Sequence, residues 1–286
     1  MLSINPKDIP IVKLHGYLLS AVAPRPIALA STIDVDGNPN LSPFSFFNVF
    51  SANPPILIFS PARRVRGNTI KHTLENAKAT KEVVINVVNY DIVQQMSLSS
   101  TGYPKGINEF EKAGFTMLAS EKVKPFRVAE SPIQLECKIN EIVELGKEGG
   151  AGNLIICEVV KLHINKAFLD EEGTIDQQKL DLVARAGGSL YSRAREGFFE
   201  IPKPLTTLGV GIDAIPSEIR NSSILTGNDL GMLGNVETIP SEEDVNKFAK
   251  EHVNYVGNNS TKKHTFAKAF LDKNDVISAW KVLLMN

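Results

Sequence analysis

The chain has 286 residues, 43% of them hydrophobic, and a formal charge of −1. That is enough apolar material for a sizeable core, which excludes intrinsic disorder, and too little charge to draw nucleic acid or acidic membranes by a global field. Cys137 and Cys157 are the two cysteines, which excludes both a disulfide framework and a structural zinc site.

No apolar run approaches the ~20 residues that a membrane span needs. The opening stretch MLSINPKDIP has no apolar core of signal-peptide length, so a soluble, cytoplasmic protein is the expectation. Residues 1–20 read as an irregular lead-in broken by Pro6 and Pro10. Pro24 and Pro26 bracket Arg25, and the strand IALASTID follows. Asp36-Gly37 then supplies a hairpin turn, a second strand runs from about Asn40 through Phe47, and Pro54-Pro55 turns the chain into Ile56–Ser60. Such short connections predict an antiparallel meander, since parallel strands need longer crossovers.

After Arg63, Arg64 and Arg66, Asn68 is placed to cap a helix over TIKHTLENAKAT. Val83–Val88 is apolar enough for a strand buried on both faces. Asp91 and Gln94 read as a capping pair for a short helix, and Asn108 starts another that Gly114 stops. Ile133–Leu145 and Asn153–Ile164 read as a long hairpin around the glycines of KEGGAG. Many strands, short helices and no βαβ alternation predict a mainly β unit, a closed or partly open barrel rather than a doubly wound sheet.

The tail is different. Residues 205–240 show no clear period. Ser241 and Asp244 form a capping signal ahead of Val245, Phe248, Ala249, Val253 and Val256 on one helical face, and two further helices are predicted over 262–271 and 273–284. The expected division is therefore 1–204 and a C-terminal extension, 205–286, helical mostly in 241–285.

Motifs for hydrolytic, metal or nucleotide-triphosphate chemistry are absent: there is no HExxH, no G-x-S-x-G and no P-loop. The five histidines, His15, His72, His163, His252 and His264, show no metal-ligand spacing, so neither a catalytic residue nor a metal ligand is assigned. Difficult chemistry in such a chain would belong to a bound cofactor. One stretch suits that role. The run SPFSFFN offers hydroxyls and aromatics together, and in an ideal strand Ser42, Phe44 and Phe46 share one face while Ser45 and Phe47 take the other. Ser60, Arg63, Arg64, Lys71 and Thr73 then gather cations and hydroxyls near a helix start, as a phosphate site requires.

The order of these segments carries a resemblance. PRPIALAST, DGNPNLSPFSFFN, NPP-strand-S-x-x-R-R, KHTLEN and EVVINVV, followed by YPKGINEFEKAG, SEKVKPFRVAESPIQLEC and VARAGGSLYSR, resemble the flavin reductase-like family of FMN-binding split barrels over roughly residues 15–204. The resemblance implies a split β-barrel of antiparallel Greek-key type that binds FMN. Ser42, Phe44, Ser45, Phe46, Phe47 and Asn48 would contact the ring and ribityl chain, and Ser60, Arg63 or Arg64, Lys71 and Thr73 the phosphate. Arg25, Tyr103, Arg185 and Tyr191 are second-tier candidates at the rim. His72 departs from the acidic residue commoner in the family at that position.

The implied activity is that of an NAD(P)H:flavin oxidoreductase, with NADH or NADPH as transient donor and a monooxygenase or other protein as acceptor. A homodimer is implied as well. A non-enzymatic FMN carrier of flavoredoxin type is the alternative. An oxidase of pyridoxamine phosphate type fits the motif order less well.

Overall fold

The structure, a computed structural model, describes residues 1–205, 207–252 and 259–285. Val253 and Val256 lie outside the described residues. The chain divides into two compact units, Met1–Phe199 and Glu200–Asn286.

The first unit opens with a helix where an irregular lead-in was expected, α1 (Ile11–Ala21), entered from Pro10. Proline is tolerated at a helix start because the first N–H groups have no intrahelical partner. Strands β1 (Ala28–Ile33), β2 (Pro39–Phe44), β3 (Phe47–Ala52) and β4 (Pro55–Phe59) follow. Next come α2 (His72–Thr80), β5 (Glu82–Val87), α3 (Val93–Ser99) and α4 (Glu109–Ala113). A small pair, β6 (Met117–Leu118) and β7 (Arg127–Val128), precedes the long β8 (Ile133–Glu144) and β9 (Asn153–Ile164). The unit closes with α5 (Gln177–Leu180) and the hairpin β10 (Val183–Arg185) and β11 (Tyr191–Arg193).

Seven strands form one antiparallel sheet in the order β2-β1-β5-β8-β9-β4-β3. The expected meander is therefore corrected. β2 and β3, consecutive in sequence, sit at opposite edges, with only Ser45 and Phe46 between them. A flat seven-stranded sheet would hold its edges about 29 Å apart. Three Cα steps reach at most about 11 Å, so the sheet must roll until its edges meet at this corner. No ladder joins β2 to β3 among the described residues, so the barrel is not closed.

Both faces of the rolled sheet are packed. On β1, Ala28 and Ala30 belong to a core with Phe59, Leu74, Ile85, Ile155 and Cys157, whereas Leu29 joins Leu41, Met96, Phe110 and Val128 on the other face. Alternation of period two explains why all six residues of β1 are buried. Both cysteines are buried and unpaired.

Local signals had mixed fates. Asn108 caps α4 by accepting from the Phe110 N–H at 3.0 Å, and Gly114 ends it in the left-handed region. Asn68 does not cap α2. It takes φ 48° in the preceding loop, and the helix starts after Lys71. Asp91 lies inside a 3-10 turn, Tyr90–Ile92, ahead of α3 rather than capping it.

Glu136 of β8 is fully buried and ties a loop to the sheet. Its carboxylate accepts from the N–H groups of Glu121, Lys122 and Val123 at 2.5–3.2 Å and lies 2.7 Å from His163 Nε2. Burial pushes its pKa up, but those N–H donors and His163 outweigh burial and hold it below the ordinary value. A depressed folded pKa contributes stability that is fully present above the unfolded value of about 4.3 and is lost as pH falls through the folded one. Urea titrations at pH 7 and at pH 3 should therefore show an acid loss in the wild type that Glu136→Gln flattens. Parallel acid losses in the two proteins would remove Glu136 from the account.

The second unit is helical: α6 (Ser217–Arg220), α7 (Gly227–Gly234), α8 (Glu242–His252), α9 (Ser260–Leu271) and α10 (Val276–Leu284). It has its own core, built on Ile219, Leu233, Ala267, Leu271, Trp280 and Leu283. Helices α6 and α7 lie in the stretch that showed no period. α7 is held by a capping box between Thr226 and Asp229, with too few turns to display an amphipathic repeat. Among the described residues no helix is long and apolar enough to cross a membrane.

Candidate cofactor site

The hydroxyl-rich run is a corner, not a continuous strand. β2 ends at Phe44, so the alternation expected to carry through Phe47 stops there. Ser42 and Phe44 are buried, and Phe44 packs its ring 5.5 Å from that of Phe59. Ser45 and Phe46 make the crossing between sheet edges. Phe47 packs against the core, while Asn48 is exposed and accepts from the Val49 N–H at 2.8 Å.

The corner is bonded to the basic loop. The Ser60 N–H donates to the Phe46 carbonyl at 2.9 Å, so the two predicted halves of the site meet through one backbone bond. Ser60 is buried, and its Oγ accepts from the Asn153 N–H at 3.0 Å, which leaves the hydroxyl hydrogen for another acceptor. Beside it, Asn153 Oδ1 is buried with no hydrogen-bond partner.

Arg63 and Arg64 shape the loop itself. Arg63 Nε donates to Asn68 Oδ1 at 2.6 Å and Nη2 to the Asn68 carbonyl at 3.0 Å. Arg64 Nη1 reaches Thr69 Oγ1 at 3.0 Å. The opposing KEGGAG turn packs closely here. A Cβ on Gly149 would stand 2.8 Å from the Val65 carbonyl, so only glycine fits.

Lys71 sits at the N-cap of α2, partly buried, with no salt bridge among the described residues. Burial foremost, then the Arg64 charge, lowers its pKa, against a smaller upward pull from Glu109. Glu109 is buried too. Burial raises its pKa, opposed by the Leu41 N–H that it accepts at 3.0 Å. Thr73, buried in the first turn, accepts from Asn40 Nδ2 at 3.0 Å, and Asn40 also donates to Thr32 Oγ1 at 3.1 Å. Asn40 and Asn153 were not anticipated. Each acts through a contact distant in sequence that no local pattern announces.

These residues fit a phosphorylated cofactor. A partly buried ammonium without a carboxylate partner, two guanidinium groups, two buried hydroxyls and a helix N-terminus form an anion-binding set, tied to an aromatic corner that can wall an apolar ring.

An open cleft of about 320 Å³ lies at the corner, walled by Pro43, Phe44 and Ser45 with Ile27. Met96 and Ser97 of α3, Ser100 at its C-cap, and Arg185 and Tyr191 of the β10–β11 hairpin complete it. Of the rim candidates, Arg185 and Tyr191 therefore reach the cleft. Arg25 is buried in the backbone behind it, and Tyr103 is not part of the lining. The α3 residues were missed, although their spacing places them on one side of a helix.

The flavin reductase like domain family matches residues 20–181. An uncharacterised protein of Halalkalibacterium halodurans is 36% identical over 199 residues, 69% of this chain and 94% of that protein. Among solved structures, nitrilotriacetate monooxygenase component B from Bacillus cereus is similar with a TM-score of 0.65 and 29% identity, over 70% of this chain and 98% of that one. The 2-nitrobenzoate 2-nitroreductase NbaA from Pseudomonas fluorescens has the same TM-score of 0.65 at 25% identity, over 73% of this chain and all of the other.

Proposed function

Because this chain belongs to the flavin reductase-like family, we propose that it binds FMN and acts as an NAD(P)H:flavin oxidoreductase. The observation that carries the reading is Lys71, a partly buried cation without a carboxylate, on a basic loop bonded through Ser60 to the Phe46 corner. In this reading Ser60, Arg63, Arg64, Lys71 and Thr73 hold the phosphate, and Ser42 through Asn48 hold the ring and ribityl chain. Bound flavin supplies the two-electron chemistry, which needs positioning more than a protein acid or base. Residues 1–204 would then be the flavin domain, a split Greek-key barrel, and 205–286 an appendage to it.

We also infer a cytoplasmic homodimer, delivering electrons to a monooxygenase or other acceptor. Apolar surface supports the pairing. Val49 and Phe50 on the edge strand β3 are each 63% exposed, and α1 exposes Ile11, Val12 and Leu18.

Reconstitution with FMN followed by anaerobic mixing with NADH or NADPH tests the reading. Bound-flavin absorbance and prompt bleaching by one nucleotide are expected, in a sample whose light-scattering mass is that of two chains. No bound-flavin absorbance sinks the cofactor. Bound flavin that neither nucleotide bleaches leaves the carrier function instead.

A further inference from the structure

The cleft beside α3 holds an uncompensated positive charge. Arg25 and Arg185 are locked together by reciprocal backbone bonds, Arg25 N–H to the Arg185 carbonyl at 2.9 Å and the reverse at 2.8 Å. Neither makes a salt bridge among the described residues. Arg25 is only 6% exposed, and its guanidinium is solvated by the carbonyls of Leu19, Val22 and Ala186 alone, with Nε left without a partner. Burial and the neighbouring Arg185 charge both lower its pKa.

Arg185, in contrast, faces the cleft. Its Nη2 donates to the Gly188 carbonyl at 2.6 Å, and its guanidinium carbon lies 4.7 Å from the centre of the Tyr191 ring. The ring contact and one carbonyl bond restrain the group. Nη1 and Nε take no acceptor among the described residues. Also lining the cleft, the Ser97 hydroxyl takes no partner among the described residues, whereas Ser100 donates to the Ser97 carbonyl at 2.6 Å.

Two adjacent cations with no carboxylate call for an anion, and the cleft limits its shape. At about 320 Å³ it is at the small end of ligand cavities, and Phe44 and Met96 leave part of its wall apolar. A restrained, half-used guanidinium matches a planar two-oxygen anion, and the apolar wall matches a ring. We propose that this cleft is a second-ligand site for a monocyclic aromatic carboxylate, its carboxylate on Arg185 and Ser97 and its ring against Phe44 and Met96. The cleft shares Phe44 and Ser45 with the corner assigned to the flavin ring, so a ligand there lies beside the cofactor. That consequence, unlike the binding itself, rests on the flavin reading.

Calorimetry on the full-length, FMN-free protein with benzoate, benzamide and inorganic phosphate tests the site. Benzoate should bind, benzamide at least tenfold more weakly, and phosphate should not displace benzoate. Arg185→Gln should weaken benzoate at least tenfold, and Arg185→Lys should recover part of the loss. Should Arg185→Gln fail to fold by circular dichroism, Ser97→Asp places a like charge in the cleft and should abolish benzoate but not benzamide binding.

Benzamide binding as tightly as benzoate overturns the proposal, as does unchanged benzoate affinity in a folded Arg185→Gln or Ser97→Asp protein. Displacement by phosphate at equal affinity would make the cleft a phosphate site and overturn it too. Benzoate binding by a protein that fails to retain FMN would sink the flavin reading and leave this site standing.

Discussion

Lys71→Ala should weaken FMN binding by roughly 5- to 150-fold, the loss expected when a charge-assisted hydrogen bond of about 1–3 kcal/mol is removed. The magnitude is set by where the ammonium sits. It is partly buried at the N-cap of α2, and the charges acting on it are of mixed sign: Arg64 lowers its pKa while Glu109 raises it more weakly. An anion bound there gains from Lys71 and from the helix N-terminus together. Because the ammonium is partly buried, its removal should cost more than that of an exposed lysine, while Glu109 keeps the larger pull of His72.

Thr73→Ala is the companion variant. Its hydroxyl accepts from Asn40, which retains Thr32 as a second acceptor, so the barrel should survive the change while FMN affinity falls. Titration by flavin fluorescence quenching, with circular dichroism to confirm folding, checks both. Wild-type affinity in both variants would place the phosphate elsewhere.

The basic loop was legible because cations and hydroxyls cluster within a few residues, and local spacing brings such groups together in most backbones. The corner was legible in composition and not in conformation. Period-two reading assumes that a strand continues, and nothing in SPFSFFN says that β2 stops at Phe44 and the chain crosses to the opposite edge. That crossing depends on five intervening strands and is decided by the whole sheet. Ser60 and Asn153, 93 residues apart, meet for the same reason. α1 was hidden differently. It has no side-chain cap and no buried residue, so neither a capping signal nor a core-facing stripe marks it.

Trp280→Ala should unfold the second unit ahead of the first. Trp280 is the single tryptophan of the chain, fully buried, with its indole N–H donating to the Leu233 carbonyl at 2.9 Å. Truncation removes the largest side chain of a core that also holds Ile215, Ile219 and Leu271, and it leaves the Leu233 carbonyl without that donor. Large-to-small changes of this kind cost about 3–5 kcal/mol, against total domain stabilities of about 5–15 kcal/mol, and a unit this small sits toward the lower end.

Trp280→Phe keeps most of the ring volume and loses the hydrogen bond, so it should cost less. In the wild type, tryptophan emission reports the second unit alone. In the alanine variant, helical circular dichroism should melt in a separate, earlier transition, and limited proteolysis should trim the chain back toward Phe199. Bound-flavin absorbance, the marker of the first unit, should survive that trimming. A single transition shifted for both signals would mean instead that residues 1–199 do not hold their fold without the helical unit.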